Sequence, residues 1–224
     1  MLNYRLASTA IRGKGSLVIF GWTNPGSPVG LPSFDPSRVA ELEYRMWVAY
    51  YLRRWTRLLG ALLGLLLLGF RSDLTQAVRG AWLMMRAAQF WAPFPDNDPD
   101  RAQACMGKLY GLVKVRYGRP ADPAHAASLE IDWWRAHRRR QYSSGPVEVA
   151  DELVESVARL YAYLFGVLEA VVRPAAVHRV QAMDYSDQWV REGCRTDSPL
   201  LSLERAALVR AYTALHAAVG PENP

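Results

Sequence analysis

The sequence is short of the features that most often announce a function. It holds two cysteines, Cys105 and Cys194, far apart and outside any CxxC pair. That spacing argues against a disulfide framework or a thiolate zinc site and fits reduced thiols in a cytoplasmic setting. Lysine is nearly missing: with Lys14, Lys108 and Lys114 as its only lysines, the chain carries its net charge of +6 almost wholly on arginine. The wealth of Arg, Ala and Leu points to a GC-rich bacterial genome. A basic chain can meet nucleic acid or anionic lipid, but arginine spread along every segment serves solubility equally well.

A long apolar run is also missing. The most hydrophobic stretch, Leu58 to Phe70, is bounded by Arg57 and Arg71, and a membrane-spanning helix needs about 20 apolar residues. It reads as a buried helix end and turn. A GxxxG pair, Gly60 and Gly64, carries weight only inside a true span, and a weak membrane-surface contact is the alternative use of this run. Residues 1–34 lack Asp and Glu and hold a Gly/Pro-rich stretch from Gly21 to Pro32. Their apolar piece, Leu17 to Phe20, is too short for a signal-peptide core. They read as a basic N-terminal extension.

Alternation with period two is absent after residue 35, which excludes a sheet there, and no fixed-period repeat suggests a solenoid. What is present is helical. Asp35-Pro36, Asp98-Pro99, Asp122-Pro123 and Ser198-Pro199 each pair an N-cap residue with proline at the first helical position. The first helix shows a face of Tyr44, Trp47, Val48, Tyr51, Trp55 and Leu58 and is expected to end or bend at Gly60, Gly64 and Gly69. A second helix runs from Asp73 to Trp91, a third from Asp98 to Gly118, and a fourth from Asp122 into Arg138-Arg139-Arg140. The fifth starts at Pro146, the sixth near Arg173-Pro174, and the seventh at Ser198. The prediction is an all-α protein, an antiparallel bundle of six or seven helices in one domain over residues 35–220.

Each chemical motif fails a specific test. The cluster Asp96-Asn97-Asp98-Pro99-Asp100 resembles the start of a calcium loop, but Arg101 and Gly107 stand where glycine and glutamate are required. It reads as a turn and a helix cap. No glutamate has a histidine three residues later, so the usual di-iron pairing is missing. There is no G-x-S-x-G, no glycine-rich phosphate loop and no H-E-x-x-H. Cys194 beside Arg195 has no assigned base. Arg138-Arg139-Arg140 is short, lacks helix-turn-helix spacing, and argues against nucleic acid as a partner.

Two features remain. Glu130 and His137 lie two turns apart on one helical face with Trp134 between them, and Glu43 on the first helix could join them in a carboxylate–imidazole site. Eight Trp and eleven Tyr supply large apolar area with a polar handle. The helix after Arg173 is ambiguous. Either the face of His178, Ala182, Tyr185 and Trp189 is core, leaving Asp187 and Arg191 as a surface pair, or Asp184 and Asp187 are buried and paired, which would mark a functional site.

Two functions are compatible with this. The leading expectation is a non-catalytic interaction or assembly protein that self-associates as a homo-oligomer. The alternative is a bundle that binds a small apolar or aromatic ligand, or a metal, with an oxidoreductase as one form of it. Its pocket would be built from Glu43, Trp47, Tyr51, Glu130, Trp134 and His137. The sequence commits to no metal, cofactor or catalytic residue.

Overall fold

A computed structural model describes residues 34–69, 72–142 and 148–220. The extension therefore lies outside the described residues except for Phe34, whose ring meets Tyr212 and His216 edge-on. Among the described residues there are eight helices and no strand: α1 (Pro36–Tyr51), α2 (Trp55–Gly69), α3 (Leu74–Trp91), α4 (Pro99–Tyr117), α5 (Pro123–Tyr142), α6 (Glu148–Phe165), α7 (Glu169–Arg191) and α8 (Pro199–Val219). None of these is long and apolar enough to cross a membrane.

The cap-and-proline starts are where local chemistry puts them. Asp35 Oδ1 accepts the amides of Ser37 and Arg38, Asp98 accepts that of Arg101, Asp122 that of Ala124, and Ser198 Oγ that of Leu200. The acidic cluster around Asp98 is thus a turn and a cap. The eighth helix arises from a break the sequence hides. The predicted first helix ends at Tyr51 rather than at its glycines, because the chain reverses through Leu52–Arg54 with Arg53 in the left-handed region at φ 55°. Of those glycines, Gly60 and Gly64 lie inside α2 and Gly69 is its last residue. A Cβ on Gly64 would come within 2.8 Å of a Leu42 methyl on α1, so the glycine gives that side chain its room. The helix expected near Pro174 begins earlier, at Glu169, and carries Pro174 inside it.

Each helix packs on its successor, and α8 packs on both α7 and α1, so the eight form a closed circuit. Charged surface runs are divided among neighbours. Arg139 pairs with Glu152 and Arg173 with Glu155, while Arg140 grips Asp184 with two bonds of 2.7 and 2.8 Å. Two of the three arginines of the run, Arg139 and Arg140, are thus spent on separate partners.

The seam of α1, α7 and α8 buries unusual polarity. Glu204 on α8 is 1% exposed, and neither carboxyl oxygen has a hydrogen-bond partner. Burial pushes its pKa from 4.5 up to about 8, Glu43 and Asp187 push the same way, and the nearby Ser186 hydroxyl offsets only part of the rise. Between pH 4.5 and 8 the folded chain holds a proton that the unfolded chain releases, so stability falls as pH rises through that window. Glu204→Gln should remove this slope. Its unfolding free energy should gain on wild type steadily with pH, by on the order of a few kcal/mol at the upper end. Denaturant titrations across the window check this; a constant difference would show that Glu204 does not carry the proton.

Candidate functional site

The circuit encloses a cavity of about 580 Å³ between α1, α2, α3, α5 and α7. α1 contributes Met46, Trp47, Tyr50 and Tyr51, and α2 contributes Leu58 and Leu62. Met84, Ala88 and Trp91 come from α3, while α5 presents Glu130, Trp133, Trp134, His137, Arg138 and Gln141. Arg179, Met183 and Asp187 come from α7. The exposed lining residues Arg53, Phe94, Tyr142, Val190 and Arg191 mark the mouth. Volume and wall chemistry are those of a small-molecule site: mostly apolar and aromatic, with few polar groups at defined positions.

The aromatic walls are locked by contact. Trp134 meets Trp91 and Trp133 edge-on at 5.4 and 6.0 Å, Tyr50 meets Tyr51, and His137 stacks over Trp133. Three polar groups sit within them. Glu130 accepts from Tyr110 Oη at 2.6 Å and from Trp134 Nε1 at 3.1 Å. Burial raises its pKa above the usual carboxyl range, against the opposing pull of Tyr110, Arg179, Trp133 and Trp134. Burial also raises the Tyr110 hydroxyl well above its ordinary value, and Glu130 adds to that rise.

The second group is a network around Asp187, which is 6% exposed. Tyr51 Oη donates to its Oδ1 at 3.2 Å, Gln141 Nε2 donates to the same oxygen at 2.6 Å, and His137 Nε2 lies 3.0 Å from Oδ2. Burial and then the adjacent Asp187 carboxylate hold the Tyr51 hydroxyl well above its usual pKa. A carboxylate on one imidazole nitrogen fixes the ring and leaves the other nitrogen to exchange a proton.

The third is Arg179. Its guanidinium lies over Trp47, Trp133 and Tyr161, pairs with Glu43 at 2.5 Å and donates to Tyr161 Oη at 2.7 Å. Tyr212 donates to the second oxygen of Glu43. Burial works against the charge on Arg179, but Glu43, Tyr161 and Tyr212 outweigh it and its pKa is raised well above normal.

Of the residues singled out by sequence, Trp47, Tyr51, Glu130, Trp134 and His137 line this one cavity. Glu43 does not; it is buried behind Arg179. Glu43, Glu130 and His137 each face a different partner, and among the described residues no three His, Cys, Asp or Glu side chains gather as a metal-holding group. The preferred reading of α7 needs correction. Asp187 is buried and paired with α1 and α5 rather than with Arg191 on the surface, although Ala182 and Trp189 are buried too. The helix is covered on a wide arc because α6 and α8 flank it. Arg179 was missed. Its signal is an arginine set in an apolar stripe, with Val172, Ala175 and Ala176 before it and Ala182 and Met183 after it.

Removing one member of a buried ion pair strands the other. Arg179→Met should therefore cost about 3–5 kcal/mol of unfolding free energy, and adding Glu43→Leu should restore most of it. A denaturation cycle over the four proteins measures this, and additive losses would mean that the pair is not coupled.

No protein-family model, curated protein or solved structure matches the chain.

Proposed function

We propose that this protein binds one small, largely apolar ligand in the aromatic cavity. The observation that supports this is the cavity itself: about 580 Å³ bounded by Trp47, Trp91, Trp133 and Trp134, with the Asp187 network and Glu130 as its polar groups. A purely structural aromatic core would close on itself, since protein interiors pack to the density of organic crystals and leave few voids larger than a water. The antiparallel bundle inferred from the short connections belongs to this reading, because it lets five helices share one interior space. No reaction is assigned; the hydrogen-bonded His137 and Asp187 serve this reading as polar groups on the cavity wall.

N-phenyl-1-naphthylamine, a neutral aromatic fluorophore, serves as probe. Wild type should bind it in a 1:1 complex, and Ala88→Trp, which fills the cavity from the α3 wall, should weaken binding at least about tenfold, as expected when a pocket is physically occupied. Retained helical circular dichroism in the variant keeps the comparison valid. Absence of probe binding to wild type would sink the reading, as would unchanged binding to a folded variant. Native mass spectrometry of the purified protein then reports any ligand it retains.

Self-association stands as a second property. It is supported by Leu74, Val78 and Trp82 on α3, which are 64%, 51% and 53% exposed. They recur at every fourth residue and form one apolar stripe, as helices that pack on a second copy do. Trp82→Asp should shift the protein to a smaller sedimenting species. A wild type that sediments as a monomer at all concentrations would rule this out.

A further inference from the structure

The mouth of the cavity differs in charge from its interior. Arg53 and Arg191 lie at the mouth and half-buried Arg138 lines the adjoining α5 wall against Phe94, and none of the three forms a salt bridge with a carboxylate among the described residues. Arg191 has no hydrogen-bond partner there either. Arg53 and Arg138 each make one bond, to the carbonyls of Ala92 and Trp91 at the end of α3. A guanidinium has five N–H donors, so both keep most of theirs for something else. Their planes are held in place: Arg53 lies over Tyr50 and Trp55, Arg138 over Trp91 and Phe94. Arg53 occupies a left-handed backbone position that would suit glycine better. Elsewhere in the fold most buried or half-buried charges are paired, as Arg140 is with Asp184 and Arg179 with Glu43. The carboxylate nearest the mouth, Asp187, is already occupied by Tyr51, Gln141 and His137.

Resting on the ligand-binding reading above, we infer that the ligand is an amphipathic anion, with an apolar body among the tryptophans and a carboxylate head at Arg53, Arg138 and Arg191. Planar guanidiniums bind a carboxylate through paired N–H···O bonds, and the aromatic faces beneath them limit the entropy lost on binding. The interior offers the opposite environment, where a charged head would meet Glu130 and the already neutralised Arg179.

The test is displacement of N-phenyl-1-naphthylamine by three ligands with the same ten-carbon chain: decanoate, decanol and decylamine. Decanoate should displace the probe at concentrations at least about fivefold below decanol, with decylamine the poorest. In Arg53→Gln/Arg191→Gln, which keeps Arg138, the advantage of decanoate over decanol should fall well below that of wild type, with decanol affected far less than decanoate. Arg191→Gln alone, which removes no internal contact, should give a partial loss and guards against a folding defect in the double variant. Probe binding with decanoate no better than decanol would overturn the anionic ligand and leave the cavity reading intact. So would a decanoate preference that is undiminished in the folded variants. Failure of the probe to bind wild type would overturn both.

Discussion

A guanidinium taken out of water costs the fold dearly unless its charge is neutralised and most of its donors are engaged. Arg179 offsets most of that cost through one salt bridge, one hydroxyl and three ring faces from three helices, although its buried Nε has no hydrogen-bond partner. Glu43 and Trp47 bring in α1, Trp133 brings in α5, and Tyr161 brings in α6. Tyr212, bonded to Glu43, adds α8. The cavity walls are therefore placed by the same set of contacts that surrounds a single buried cation.

From that centre outward the polarity is graded. Beside Arg179 the charges cancel. Along the α5 wall burial raises the pKa of Glu130 and so disfavours its charged form. Near the mouth the Asp187 network is saturated by donors, and at the rim the arginines outnumber their partners. Such a gradient orients a two-ended molecule without any large movement of the protein, because each end is favoured in only one place.

Much of the fold was legible because it is written in neighbouring residues. Asp-Pro and Ser-Pro starts need only the amides two or three positions on, so four helix starts can be read without knowing the tertiary structure. The break at Leu52–Arg54 has no Gly or Pro to announce it; an arginine takes the left-handed position, held by Tyr50, Trp55 and a carbonyl from α3. Gly60 and Gly64 misled for the complementary reason: Gly64 serves contact with Leu42, and neither glycine ends a helix. On α7, burial on several sides blurs the amphipathic pattern, so neither of two opposite faces described it. The aromatic and titratable residues of the cavity stood out by type and spacing. Arg179 did not, because one arginine among many is informative only once its apolar neighbours on the helix are counted.

The closed circuit has a consequence for the order in which the protein can be made. α1 is synthesised first, yet its partners for Glu43 arrive with α7 and α8, more than a hundred residues later in the chain. Domains of this size can begin to gather as they leave the ribosome, and α2 to α5 can pack pairwise in the order they emerge. α1 cannot finish: its acidic and aromatic face lacks its final cover until the last helix is available. Contacts this far apart in sequence close a large loop, and such closures form slowly compared with local packing. The interval before that closure is when the tryptophan-rich interior is most open to aggregation and to chaperones.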